Sequence, residues 1–135
     1  MLLPITLTMA AAAVVLHIWL ATRCGRVRMR ENISLGAGGN KLLLARMRAH
    51  LNFTENTPLF LLLLLLVELG GGYQFWLWIA GILFMLARVA HALGMDRLVP
   101  NRLRMLGTSV SFLLLLALAG YAIVLSYRAP HIIFS

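Results

Sequence analysis

The feature that most constrains this chain is the grouping of its apolar residues into four blocks. The blocks cover residues 3–22, 57–69, 73–95 and 106–127. A helix needs about 20 apolar residues to cross the hydrocarbon layer, and three of the blocks are long enough. Only helices and closed barrels satisfy their backbone in lipid, and the blocks lack the strict alternation of barrel strands. The sequence therefore predicts an all-α integral membrane protein, a four-transmembrane-helix bundle that forms a single domain over residues 1–135.

The charged residues predict how the bundle is oriented. The chain has 12 Lys and Arg, 4 Asp and Glu, and a net charge of +8. Because 61% of the residues are hydrophobic and most of the basic ones fall in two intervals, 23–48 and 97–104, we do not expect a nucleic-acid partner. Basic loops of membrane proteins stay in the cytoplasm. We therefore expect four spans with both basic loops cytoplasmic and both termini outside.

The second apolar block is too short to cross the membrane by itself. Its 13 residues form only about 20 Å of helix. A helix of about 20 residues that ends at Leu69 must reach back to His50, so it also carries Asn52 and Glu55. Because such side chains cannot face lipid without a cost, we expect them to face other helices or a wet cavity.

Three of the predicted helices carry polar side chains near their basic ends, at helical spacing. They are Arg48, Asn52 and Glu55 on the second helix, Arg88 and His91 on the third, and Arg104, Thr108 and Ser111 on the fourth. An ion pair between Arg88 and Glu55 is the structural alternative, but convergence from three helices favours a binding site. Several arginines around one carboxylate suit a small polyanion that also bears an amine.

Residues 48–58, Arg-Ala-His-Leu-Asn-Phe-Thr-Glu-Asn-Thr-Pro, resemble the signature of the MAPEG family, the membrane-associated proteins in eicosanoid and glutathione metabolism. Residues 88–91, Arg-Val-Ala-His, are similar to the family's third-helix motif, and Arg104 stands where its fourth helix begins. Residues 36–40 and Glu68 resemble the small bacterial branch. The resemblance covers nearly the whole chain.

This resemblance implies a homotrimer in a bacterial inner membrane that binds glutathione between protomers. The implied activity is a glutathione-dependent transferase or peroxidase that acts on lipophilic small molecules. Arg104 is then the catalytic residue beside the sulfur, and His50 approaches from the adjacent subunit. Arg26 or Arg28 joins the site, and spacing does not decide between them. The implied glutathione-binding residues are Arg48, His50, Asn52, Glu55, Arg88 and His91.

Two positions depart from the family pattern. Met95 and Thr108 stand where several eukaryotic members have tyrosines, which removes a hydroxyl candidate. A non-catalytic membrane binding protein is therefore an alternative. A small proton-coupled multidrug exporter is another, although such transporters tend to carry an acidic residue in the first helix, where this chain has His17. The histidines and Cys24 lack metal-binding spacing, so we expect no metal.

Overall fold

Four helices make up the fold of the protein. The computed structural model describes residues 2–71 and 73–128, which contain four long helices and no strand. The helices are α1 (Pro4–Glu31), α2 (Lys41–Gly71), α3 (Phe75–Met95) and α4 (Arg102–Arg128). Each is long and apolar enough to cross a membrane. The predicted all-α, four-helix membrane bundle is confirmed.

The helices extend further at the basic end of the bundle than the hydropathy predicted. We use "basic end" for the end that carries the loops 32–40 and 96–101. α1 continues to Glu31 and α2 begins at Lys41, so the expected loop over residues 23–48 is largely helical. The expected loop boundaries were wrong because Arg, Lys, Leu, Met and Ala are good helix formers in water, where no apolar pattern is required.

Side-chain caps hold both turns at the basic end. Asn40 Oδ1 accepts a hydrogen bond of 2.9 Å from the Leu43 amide at the start of α2. Asn101 Oδ1 accepts one of 3.0 Å from the Arg104 amide, and its own amide donates to the Gly94 carbonyl at 2.7 Å. Each cap satisfies amides that the first helical turn leaves free. Asn101 also joins the end of α3 to the start of α4, which places Arg104.

A buried carboxylate caps α1 at the opposite end. Glu68, near the end of α2, is only 2% exposed. Its oxygens accept hydrogen bonds from the Ile5 amide at 3.1 Å, the Thr6 amide at 2.8 Å and the Thr6 hydroxyl at 2.7 Å. A negative charge is stabilised at a helix N-terminus, where amides are free and the helix dipole is positive. Glu68 therefore ties α1 to α2.

Glycines bring α3 and α4 unusually close together. A Cβ added at Gly107 would lie 2.5 Å from the Ala87 carbonyl oxygen and 2.7 Å from the His91 amide nitrogen. A Cβ added at Gly94 would lie 2.5 Å from the Arg104 amide nitrogen. Small residues allow this approach in membrane bundles, where helices associate through packing rather than through the hydrophobic effect.

An ion cluster joins α1, α2 and the end of α3 at the basic end. Asp96 Oδ2 lies 2.5 Å from Arg23 Nη2 and 3.2 Å from Arg46 Nη2. Arg46 Nη1 also donates to the Arg23 carbonyl at 3.1 Å. The sequence assigned Arg23 and Arg46 only to a loop, so this cluster was not predicted.

Gly107→Ala is expected to destabilise the bundle, because the new methyl group would overlap backbone atoms of α3. We expect unfolding in detergent to become easier by about 1–3 kcal/mol, the usual cost of overpacking. Gly120→Ala is the matched control, since nothing lies within 4 Å of its Cβ position, and it should be neutral or slightly stabilising. Equal melting temperatures for the two variants would contradict the close α3–α4 contact.

Candidate functional site

A polar cleft opens between α2, α3 and α4 near the basic end of the bundle. Its volume is about 230 Å³. It is lined by Arg48, Leu51, Asn52, Glu55, His91, Met95 and Arg104. Most of the site residues predicted from the sequence therefore lie together, from three different helices. We call this space the polar cleft.

Arg88 lies beneath the polar cleft and is only 3% exposed. Its Nη1 donates a hydrogen bond to Asn52 Oδ1 on α2, and its Nη2 donates to the Gly107 carbonyl on α4 at 3.1 Å. The guanidinium thus links three helices. Over residues 2–71 and 73–128, Arg88 makes no ion pair with Glu55. The structural alternative considered from the sequence, a pair between these two residues, is therefore not found.

His91 on α3 lines the polar cleft and contacts Thr108 on α4, whose side chain does not line the cleft. The Thr108 Oγ1 lies 3.0 Å from His91 Nδ1 and 3.1 Å from the Arg104 carbonyl oxygen. A hydroxyl has one hydrogen, so Thr108 uses it on one of these two neighbours. Ser111, one turn further along α4, donates to the Gly107 carbonyl at 2.7 Å and lies outside the cleft.

Three charged side chains line the polar cleft. Arg48, Glu55 and Arg104 are all exposed. None of the three makes an ion pair within the described part of the chain, where the ion pairs are those of Asp96. Two cations and one anion therefore face a single opening without internal partners.

His50 lies on a different face of α2 from the polar cleft. Its Nε2 is 3.0 Å from Nδ1 of His17 on α1. His50 lines a second cleft of about 620 Å³ between α1 and α2, together with Arg28 and Cys24. Arg26 does not line it, and neither arginine lines the polar cleft.

The two clefts share a wall. Arg48 and Leu51 line both of them, so one turn of α2 separates the polar cleft from the cleft that contains His50. Leu51 was not predicted, because an apolar residue inside a transmembrane helix has no distinguishing signal in the sequence. No metal-binding group of three or more His, Cys, Asp or Glu exists within the described residues.

Comparison with known proteins decides the family. The sequence matches the MAPEG family over residues 6–124, which include every predicted site residue. The chain belongs to the MAPEG family. It is similar to the inner membrane protein YecN of Escherichia coli K12, with 31% identity over 112 residues and 82% coverage of each chain. The YecN of Escherichia coli O6:H1 has the same identity and coverage.

Membership makes this protein a membrane protein of the family concerned with glutathione and eicosanoid metabolism. Residues 48–58 and 88–91, whose resemblance to the family was noted in the sequence, lie on adjacent helices and meet through Asn52 and Arg88. One residue of the MAPEG-like segment on α2, Asn52, therefore accepts a hydrogen bond from the buried guanidinium of Arg88 on α3.

Asn52→Ala should destabilise the protein, because Arg88 would lose its acceptor on α2 while remaining buried. We expect a loss of about 1–3 kcal/mol in the free energy of unfolding, the cost of an unsatisfied buried polar group. Asn52→Asp keeps an acceptor and adds a countercharge, so it should retain most of the stability.

Asn56→Ala is the positional control for this measurement, since Asn56 donates only to the backbone carbonyl of Asn52. Thermal unfolding in the same detergent compares the three variants. An Asn52→Ala variant that melts no earlier than Asn56→Ala would show that the Arg88 contact does not stabilise the fold.

Proposed function

We propose that this protein is a trimeric, glutathione-dependent transferase or peroxidase of a bacterial inner membrane that acts on lipophilic electrophiles. The observation that carries the proposal is the polar cleft, in which Arg48, Arg104 and Glu55 face one opening without internal ion-pair partners. Family membership supports the choice of glutathione as the thiol.

The charges of the polar cleft complement those of glutathione. The tripeptide carries two carboxylates, one ammonium group and one thiol. Arg48 offers a guanidinium that can bind a carboxylate through two parallel hydrogen bonds, and Glu55 can accept from the ammonium. Asn52 Oδ1 is already occupied by Arg88, which leaves the Asn52 amide hydrogens to donate to the ligand. Arg88 is thus a positioning residue for Asn52.

We assign to Arg104 the role of stabilising the thiolate of bound glutathione. An ordinary thiol has a pKa of about 8.5, so about 3% is thiolate at pH 7. A guanidinium in a partly dehydrated site can lower a thiol pKa by about two units, which corresponds to about 2.7 kcal/mol. The thiolate fraction then rises by at most about thirtyfold, and lower intrinsic nucleophilicity offsets part of the gain. Positioning of the thiolate against the electrophile has to supply the rest of the rate.

The reaction type follows from the thiolate. In a transfer, the sulfur forms a bond to the electrophilic carbon of a lipophilic substrate and the leaving group departs. In a peroxidase reaction, two glutathiones are oxidised to the disulfide while a lipid hydroperoxide is reduced to an alcohol and water. Both substrates can meet at the cleft, since Leu51 on α2 lines it and is about half exposed.

A second copy of the chain is part of the proposal. Pockets that enclose small molecules usually have volumes of about 300–1,000 Å³, and the polar cleft has about 230 Å³ in one protomer. A neighbouring protomer can complete the site with the face of α1 and α2 that bears His50 and Arg28. In that arrangement His50 and Arg28 act on the glutathione of the adjacent protomer.

The proposed location follows the relatives and the charges. The similar Escherichia coli protein is an inner membrane protein. Most of the Lys and Arg residues lie on the helix ends that flank the two turns at the basic end, and the positive-inside rule places such a positively charged end in the cytoplasm. Cytoplasmic glutathione would then reach the polar cleft from water, and a lipophilic substrate would enter from the bilayer.

A non-catalytic binding protein remains the second candidate, and one observation favours it. Met95 lines the polar cleft, and the single hydrogen of the Thr108 hydroxyl is used inside the protein. No side-chain hydroxyl therefore lines the cleft within the described residues. The exporter alternative gains no such support, because the Glu68 carboxylate is held by the amides of α1.

Arg48→Ala and Glu55→Ala should each weaken glutathione binding about tenfold or more, because each removes a charge-assisted hydrogen bond. Isothermal titration with the purified protein in detergent measures the dissociation constants. Arg30→Ala and Glu31→Ala, exposed residues with the same charges at the same end, are the matched controls. If both site variants bound glutathione as tightly as their controls, glutathione would not be the ligand of the polar cleft.

Arg104→Gln should keep glutathione binding and lose the ultraviolet absorbance of the bound thiolate. The thiolate fraction at neutral pH should fall by up to about thirtyfold if the thiol returns to its ordinary pKa. Turnover with a panel of electrophiles and lipid hydroperoxides should fall in parallel. Unchanged thiolate absorbance would refute the role of Arg104, and a thiolate without turnover on any substrate would favour the binding protein.

A further inference from the structure

A basic cavity lies on the outer side of the turn between α3 and α4. It has a volume of about 580 Å³. Its lining consists of Arg97, Asn101, Arg102, Leu103 and Leu106, none of which lines the polar cleft. We call it the basic cavity.

The charged groups that line the basic cavity are the guanidiniums of Arg97 and Arg102. Asp96, the acidic residue next to Arg97, is turned inward and pairs with Arg23 and Arg46. Neither Arg97 nor Arg102 makes an ion pair in the part of the chain that the structure describes.

Asn101 is committed within the same turn. Its amide donates to the carbonyls of Gly94 at 2.7 Å and Val99 at 2.9 Å, and its Oδ1 accepts from the Arg104 amide. The two arginines are therefore left to bind an anion, and the lining contains no carboxylate that could hold an ammonium group.

An apolar groove lies next to the basic cavity. The groove has a volume of about 180 Å³ and an almost wholly apolar lining. Its lining residues are Leu83, Leu86, Ala87, Ala90, Leu106, Gly107 and Val110. Leu106 lines both spaces, so the basic cavity and the groove lie on either side of one exposed leucine side chain.

The shape of the groove follows from the close contact of α3 and α4. Gly107 and Ala87 meet backbone to backbone, and they form a shallow floor. The leucines beside them stand out as walls, with Leu86 60% exposed and Leu106 63% exposed. Both helices run from the basic end into the bilayer, and the interval from Ala90 to Leu83 corresponds to about 10 Å of helix.

We propose that the basic cavity and this groove form one binding site for an anionic phospholipid. Arg97 and Arg102 bind the phosphate at the membrane surface, and an acyl chain lies in the groove between α3 and α4. A free phosphate ion would use only the basic cavity. A zwitterionic phospholipid would bring an ammonium group next to two guanidiniums. The neighbouring apolar groove and the absence of a carboxylate from the lining of the basic cavity together select a lipid with net negative charge.

The test measures lipid retention on the purified full-length protein by native mass spectrometry. The probes are phosphatidylglycerol and phosphatidylcholine with identical acyl chains, and glycerol phosphate is the soluble headgroup. We expect selective retention of phosphatidylglycerol, and no competition from glycerol phosphate at equal concentration. Equal retention of the two lipids, or displacement by glycerol phosphate, would overturn the proposal.

Variants separate a built site from general surface charge. A basic residue at a membrane surface is worth about a fivefold change in affinity for anionic lipid, so Arg97→Gln combined with Arg102→Gln should weaken phosphatidylglycerol binding about thirtyfold. Arg30→Gln combined with Lys41→Gln removes the same charge from exposed residues at the same end. This control should retain the lipid, and an equal loss in the control would overturn the proposal.

The groove has its own variant. Ala90→Leu fills it with a larger side chain, and Ala117→Leu adds the same volume at an exposed position of α4 outside it. We expect Ala90→Leu alone to reduce retention of phosphatidylglycerol severalfold, with both proteins showing the same melting temperature. Equal retention by these two variants would overturn the assignment of the acyl chain to the groove. The glutathione measurements are independent of this result, since the two sites share no lining residue.

Discussion

The buried guanidinium of Arg88 is the interaction on which the polar half of this bundle depends. A charge inside a membrane protein is costly unless other groups replace water around it. Asn52 and the Gly107 carbonyl do so here for its two terminal nitrogens, from two other helices, while its buried Nε has no partner among the described residues. The second of these contacts exists because Gly107 has no side chain and lets α4 approach α3. The burial of this charge, the close spacing of α3 and α4, and the position of Asn52 in the polar cleft therefore depend on one another.

The sequence predicted those parts of the fold and site that follow from periodicity and hydropathy. Residues Asn52 and Arg88 were grouped in advance because each shares a helix face with other polar residues at the same depth. The role of Gly107 was not predictable, because a glycine in a transmembrane helix does not reveal which backbone it contacts. Asp96 was missed for a related reason, since its two partners belong to helical extensions that hydropathy does not detect beyond the bilayer.

The charges at the basic end divide into two classes with different uses. Arg23 and Arg46 share a single countercharge, Asp96, and this cluster holds three helices together. Arg48 and Arg104 remain exposed around a cleft that also contains Glu55. Because the protein has only 4 acidic residues against 12 basic ones, internal pairing cannot neutralise most of its cations. The surplus is what makes anionic ligands suitable partners at this end.

The cap that Glu68 places on α1 has a consequence for membrane insertion. Alone in lipid, α2 would present an unsolvated carboxylate, and α1 would present amides that no carbonyl receives. Both penalties disappear when the two segments lie side by side, since each group satisfies the other. The first two helices are therefore more stable in the bilayer side by side than apart.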